Sequence, residues 1–167
     1  MLNKSLLIRF LLAILIIIQV IIFDIQSAEA AVDSYVERYL DAKQPVEIKL
    51  NEQGETKKFS AEDLSTGKQI FAKNCLNCHV GGANLVNPPI SLSLKKLEGA
   101  TPPRDNINNL VAFFRNPMIY DGSDYTYFCR QVTENWMSQA EVEQMGAFIL
   151  RAAQKAPAWG AEGVEQN

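Results

Sequence analysis

The hydrophobic positions of this chain fall into one continuous N-terminal run and several shorter periodic segments. Residues 10–23 are apolar with a single exception, Lys4 and Arg9 precede them, and the small-residue stretch S-A-E-A-A follows at 27–31. Charge, apolar run and an A-x-A site in this order predict a secretory signal peptide at residues 1–30. The alternative is a permanent membrane anchor, but the 14 residues of the run would reach only about 21 Å of a roughly 30 Å hydrocarbon core.

The pattern that follows predicts a short helix and a small β-hairpin. Residues 33–40 have apolar positions one helical turn apart, behind an aspartate that can cap them. V-E-I-K-L at 46–50 alternates apolar and charged side chains, which is the period of a half-buried strand. Turn residues at 51–54 then lead into a returning strand over 56–59.

Three longer helices are predicted beyond the hairpin. Their apolar stripes are Leu64, Ile70 and Phe71; Ile107, Leu110, Val111 and Phe114; and Val142, Met145, Ile149 and Leu150. The first helix begins at Ser60, which forms a capping box with Asp63, and the third begins with the S-x-x-E box of 138–141. Pro117 bounds the second helix and Pro157 lies beyond the third. The chain is therefore predicted to be mainly α.

Long glycine-, proline- and asparagine-rich loops join these helices, at 80–90, 97–105 and 117–125. Three helices make a thin core for the 137 residues that remain after the leader, which indicates that a group other than side chains fills the middle. Gly67 and Gly146 are small residues at which the first and third helices are predicted to cross closely.

Composition and charge then exclude several functional classes. The net charge is −3 for the whole chain and also without the leader, which leaves 14 basic and 17 acidic residues. No basic run or patch is present, so nucleic-acid binding is excluded on bulk charge. Three cysteines cannot all pair with one another, which argues against a disulfide scaffold. No carboxylate pair or nucleophile–base set is available, so we expect no enzymatic turnover.

Cys75, Cys78 and His79 form a C-x-x-C-H motif. Two thiols at this spacing can add across the vinyl groups of a haem, and the adjacent imidazole then lies under the iron as its proximal ligand. A thioredoxin-like pair would follow a strand, whereas a helical pattern precedes the motif here. A zinc site needs four ligands, or three and a water, and beyond the motif the chain offers no second histidine and only one other cysteine, Cys129. The motif therefore predicts one covalently bound haem c.

The segments around the motif resemble one branch of the class I cytochromes c. The stretch 67–82, A-T-P-P-R-D-N-I at 100–107 and N-P-M-I-Y-D-G at 116–122 are similar to the low-potential cytochrome c-550 family, the extrinsic lumenal cytochromes of cyanobacterial photosystem II. The resemblance covers roughly residues 45–160. It implies a class I cytochrome c fold with a small N-terminal β-hairpin and a single covalent haem in the core.

The resemblance also implies an organisation and a location. We expect the signal peptide to be followed by an N-terminal extension at 31–44, a monohaem cytochrome domain at 45–160 and a polar tail at 161–167. The location implied is the thylakoid lumen, peripheral to the membrane, with photosystem II as a candidate partner. The redox partner is not identified by any motif.

The sixth ligand of the haem iron is where this chain departs from the family. That family uses a second axial histidine after the Y-D-G motif, and this chain has none. Cys129 falls within about a residue of the missing histidine, so the resemblance implies His79 and Cys129 as the axial pair. A thiolate ligand would favour ferric iron and a very low potential. Open alternatives are an empty site or one of Met118, Met137, Tyr120, Tyr125 and Tyr127, whereas Met145 belongs to a helix stripe.

Three functions are compatible with these features. The first is a low-potential electron carrier of the lumen. The second is an extrinsic structural subunit that stabilises photosystem II, although the polar tail replaces the glycine- and aromatic-rich end of the family. The third is a redox or gas sensor in which Cys129 leaves the ferrous iron.

Overall fold

The computed structural model describes residues 4–24, 32–85 and 90–161, and it is mainly helical. In chain order the elements are α1 (Lys4–Asp24), α2 (Ser34–Tyr39), β1 (Val46–Lys49), β2 (Thr56–Phe59), α3 (Ala61–Asn74), α4 (Leu94–Glu98), α5 (Ile107–Arg115) and α6 (Gln139–Lys155), with a 3₁₀ turn at Val80–Gly82. The two strands pair antiparallel, with Val46 opposite Phe59 and Lys49 opposite Thr56. The predicted short helix, hairpin and three longer helices are all confirmed.

The N-terminal apolar run forms α1, and large apolar side chains along it are exposed. Phe10 is 69% exposed and Leu11 is 58% exposed. Within the described ranges, no helix has the combination of length and apolar character that a membrane crossing requires. The expected cleavage region at 27–31 and the tail from 162 to 167 lie outside the described residues. The signal peptide therefore stays a prediction.

Side-chain caps fix where the long helices begin. The Ser60 hydroxyl accepts from the Asp63 N–H at 3.1 Å, and the Asp63 carboxylate accepts from the Ser60 N–H at 2.9 Å. Ser138 and Glu141 form the same reciprocal pair at the start of α6. The α5 cap is Asn106, whose side chain accepts from a backbone N–H of the first turn. Each cap stabilises its helix by about 1 kcal/mol, so both predicted capping boxes are present.

The core lies where α3 crosses α6, with α5 packed on the other side of α6. Phe148 of α6 stands at the centre, with its ring centroid 5.5 Å from that of Phe71 and 5.6 Å from that of Trp159. The structured part of residues 31–44 belongs to this core, because Val36 and Leu40 of the α2 segment are fully buried. The sides of α3 and α6 that remain free of this packing are available to another group.

Gly67 permits the close approach of α3 to α6, as predicted, but Gly146 does not take part. A Cβ built at Gly67 would lie 2.0 Å from the backbone oxygen of Gln144. A Cβ at Gly146 would instead meet Leu110 at 3.7 Å, an ordinary contact with α5. The expectation that the two helices cross closely at Gly146 as well as at Gly67 is therefore wrong for Gly146. Gly146 lies within one helical turn of the crossing, but it points toward the neighbouring helix.

Because Gly67 and Gly146 have different surroundings, we expect their replacement by alanine to have different effects on stability. Gly67→Ala is expected to destabilise the protein by about 3 kcal/mol, because the methyl group would overlap a backbone carbonyl that only a helix shift can move. Gly146→Ala is expected to change stability by less than about 1 kcal/mol, since its methyl group fits and alanine favours the helix. Urea unfolding of the haem-loaded protein measures both. Equal effects would contradict the crossing geometry.

All three predicted loops contain short ordered elements, and the first begins with the 3₁₀ turn at Val80–Gly82. The α4 helix overlaps the start of the predicted loop at 97–105, and a five-residue helix is too short to display a hydrophobic period. Within 117–125, Met118 and Tyr125 form an isolated antiparallel bridge. These loops are more tightly held than their composition indicates.

Candidate haem site

A cavity of about 370 Å³ lies between α3, α5, α6 and the loop before α6. This volume is within the range of small-molecule and cofactor pockets. Apolar side chains dominate its lining, among them Phe71 of α3, Leu97 of α4, Leu110 and Phe114 of α5, Met145 and Ile149 of α6, and Val132 and Met137 of the preceding loop. The thin core inferred from the sequence therefore corresponds to a real space with mainly apolar walls.

The C-x-x-C-H motif lies at the end of α3 and lines this cavity. Cys75 is the C-terminal cap of α3, where its N–H donates to the Phe71 carbonyl at 2.8 Å. The chain then turns tightly, because the N–H groups of Cys78 and His79 both donate to the Cys75 carbonyl, at 3.1 and 3.0 Å. This turn brings all three motif side chains to the same cavity.

The imidazole of His79 is oriented by the backbone that follows it. Its Nδ1 lies 3.1 Å from the Ala83 carbonyl oxygen. A carbonyl can only accept, so Nδ1 carries the proton and Nε2 keeps a free lone pair. Burial lowers the pKa of His79, although the bond to Ala83 acts in the opposite direction. A neutral imidazole with a fixed tautomer is the form in which histidine ligates iron.

The third cysteine reaches the same cavity from the loop before α6. Cys129 lines the cavity with Cys75 and Cys78, and none of the three forms a disulfide. Burial raises the pKa of Cys75 to about 12, with contributions from Cys129 and Cys78. Burial also raises the pKa of Cys129, while the Arg104 guanidinium lowers it and Cys78 raises it. Residues 54 positions apart in sequence are thus close neighbours in space.

The other candidates for the sixth ligand differ in whether their side chains reach the cavity and in what else they contact. Met118, Met137 and Tyr120 line the cavity, but the Met118 sulfur accepts from the Asn116 amide at 3.7 Å and the Tyr120 hydroxyl donates to the Lys96 carbonyl at 2.9 Å. Tyr127 is 91% exposed and stacks edge-on with Tyr125. Neither of these two tyrosines belongs to the described lining. Met145 is buried with its sulfur 3.9 Å from that of Cys75.

Two residues of the site had no assigned role in the sequence analysis. Arg104 lines the cavity with a charged group; the signal in the sequence was its place in the T-P-P-R-D-N-I segment that carries the family resemblance. Trp159 packs its ring on Gly82, where φ is +79° and a Cβ would lie 2.6 Å from the indole. The Trp159 indole N–H donates to the Leu92 carbonyl at 3.0 Å, which holds the loop after His79 in place.

The donor set fits a haem better than a free metal ion. Two thiols at vinyl spacing, a neutral imidazole with a free Nε2 and a mainly apolar enclosure match the requirements of a covalently attached porphyrin. Within 4–24, 32–85 and 90–161, no group of three or more His, Cys, Asp and Glu side chains is arranged to hold a metal ion by itself.

Comparison with known proteins gives the same assignment. The family model of the cytochrome c-550 domain matches residues 38–166. The cytochrome c-550-like protein of Trichodesmium erythraeum is 79% identical over 164 residues, which covers 98% of this chain and 99% of that protein. Photosystem II extrinsic protein V of Gloeobacter violaceus is 46% identical over 144 residues, covering 86% and 78% respectively.

A solved structure extends the match to the fold. The PsbV2 cytochrome from Thermosynechococcus elongatus superposes with a TM-score of 0.77 at 56% identity, over 78% of this chain and all of that chain. The class I cytochrome c fold predicted from the motifs is therefore confirmed. With the matching family model and near-full-length relatives, this similarity shows that the chain belongs to the cytochrome c-550 family.

Proposed function

We propose that this chain is a monohaem c-type cytochrome that carries single electrons, in which Cys75 and Cys78 hold one haem covalently and His79 and Cys129 ligate its iron. The observation that supports this assignment most strongly is the convergence of these four side chains on one mainly apolar cavity. Membership of the cytochrome c-550 family makes it a haem cytochrome, and that family implies a haem c cofactor.

The residues of the cavity have separate tasks. Haem supplies a one-electron ferric/ferrous couple when bound. Ala83 fixes the His79 imidazole through Nδ1, so that Nε2 is presented for ligation. The apolar walls exclude water and lower the local dielectric. Cys129, as a thiolate, donates charge to the iron and favours the ferric state, which sets a low potential.

For its location, we propose the thylakoid lumen, peripheral to the membrane. The support is the N-terminal sequence, with its positive start, apolar run and small-residue site. Further support comes from the photosystem II extrinsic protein V of Gloeobacter violaceus, to which the chain is similar. The leader is then removed near residue 30, and attachment of the haem follows export.

The carrier assignment is tested with the full-length chain expressed in a cyanobacterium. We expect the purified protein to begin near residue 31, to retain haem through denaturing electrophoresis, and to cycle reversibly between ferric and ferrous states with one electron per chain. Haem lost under denaturing conditions, or an N-terminus at Met1, would contradict covalent attachment or export respectively.

A second candidate is an extrinsic subunit that stabilises photosystem II, which the name of the Gloeobacter relative favours. Co-purification of the tagged chain with photosystem II cores, and its release by a salt wash, would support this role. Recovery of the chain in the free lumenal fraction only, with unchanged oxygen evolution in a deletion strain, would leave the carrier as the function.

A further inference from the structure

Arg104 brings a half-buried positive charge to the wall of the haem cavity. One nitrogen of its guanidinium, Nη2, donates to the carbonyls of Met118 and Ile119, at 3.0 and 2.8 Å. The guanidinium carbon lies 3.9 Å from the ring centroid of Phe113. These contacts fix the cation in place, because stacking and two hydrogen bonds restrict its side-chain torsions.

Arg104 forms no ion pair with a carboxylate in the described part of the chain, where the ion pairs join carboxylates to lysines or to Arg151. A cation removed from water without a partner is costly, so a negative group in the cavity is the expected compensation. Burial lowers the pKa of Arg104, and the Cys129 and Tyr120 side chains oppose that effect. Arg104 and Cys129 line the same cavity, so a thiolate at Cys129 would be a negative group within that cavity.

We propose that Arg104 is a positioning residue for the sixth ligand: its hydrogen bonds anchor the start of the segment that leads to Cys129, and its charge compensates the negative charge on the Cys129 sulfur. This inference rests on the proposed His79/Cys129 ligation. Arg104 therefore limits how far the thiolate lowers the potential, since a fixed cation near the haem stabilises the added electron of the ferrous state.

Arg115, the last residue of α5, provides a matched control for Arg104. It also donates two hydrogen bonds to backbone carbonyls of the loop before α6, to Val132 at 2.9 Å and to Met137 at 3.1 Å. It does not belong to the described lining of the haem cavity. Arg115→Gln thus removes a cation and a loop anchor of the same kind without removing a charge from the cavity wall.

The test compares haem-loaded Arg104→Gln, Arg104→Lys and Arg115→Gln with the wild type. A dithionite titration gives the midpoint potential, and ferric EPR with the sulfur-to-iron charge-transfer band gives the state of the sulfur. For Arg104→Gln we expect about a tenfold lower ferrous-to-ferric ratio at a fixed potential. For a one-electron couple this corresponds to a midpoint potential lower by about 59 mV. The charge-transfer band is expected to move to lower energy, because the sulfur lone pairs lose a stabilising cation.

Arg104→Lys keeps the charge without the planar fork, so it is expected to restore most of the potential but not the full melting temperature. Arg115→Gln is expected to lower the melting temperature with both redox readouts unchanged. A lower potential in Arg104→Gln with an unmoved thiolate band would overturn the proposal, because Arg104 would then act on the haem carboxylates. An unchanged potential would overturn it as well. A wild type without a thiolate band would instead refute the Cys129 ligation itself.

Discussion

Replacing Cys75 and Cys78 together by serine is expected to abolish the cooperative fold as well as haem attachment. Without thioether bonds the chain retains only axial ligation to hold a haem, and loss of the haem would leave a cavity of about 370 Å³. The mainly apolar walls of that cavity would then be exposed to water, which removes hydrophobic stabilisation. A small domain has little to lose, because its entire stability is ~5–15 kcal/mol.

Haem staining after denaturing electrophoresis and near-ultraviolet circular dichroism measure the two parts of this expectation. Cys129→Ser is the control, since it removes a cavity thiol of the same chemistry but leaves the attachment motif intact. It should keep its covalent haem and melt cooperatively. A double-serine chain that melts cooperatively without haem would contradict the view that the haem completes the core.

The largest change in redox behaviour is expected from Cys129→Met. A thioether is neutral and donates less charge than a thiolate, so it stabilises ferrous iron relative to ferric iron. We expect the midpoint potential to rise by roughly 0.2–0.4 V, a fraction of the about 0.8 V over which axial ligands set haem potentials. Spectroelectrochemical titration of the purified variant and the wild type measures this difference.

Met118→Leu and Met137→Leu are the controls for the thioether alternatives. Both residues line the cavity, and both substitutions approximately conserve apolar volume. They are expected to leave the potential within about 59 mV of the wild type, a tenfold change in the one-electron equilibrium. A rise in potential for Cys129→Met no larger than theirs would contradict thiolate ligation.

The elements with strong local signals were predictable from the sequence. Ser60 with Asp63 and Ser138 with Glu141 mark the starts of α3 and α6, because capping is a local interaction within one turn of helix. The hairpin was recognisable from the alternation at 46–50 and the turn residues at 51–54, although its register was not predicted. The motifs at 67–82, 100–107 and 116–122 indicated the cytochrome fold that the comparisons confirm.

Features that depend on tertiary packing were not predictable. The direction in which Gly146 points is set by the rotation of α6 against α5, which no periodicity specifies. The α4 helix is too short to display a period. The role proposed for Arg104 requires Cys129, 25 residues later in the sequence, to line the same cavity. Such contacts depend on long-range folding that local sequence does not encode.

Thiolate ligation of the haem iron by Cys129 is the central claim, and one measurement tests it most directly. Ferric EPR and optical spectra are recorded for the purified wild type and for Cys129→Ala, followed by spectra of the reduced forms. The account predicts a low-spin ferric wild type with a thiolate signature that disappears in the variant. An unchanged low-spin spectrum in Cys129→Ala would contradict it, and the sixth position would then belong to Met118, Met137 or Tyr120, which line the same cavity.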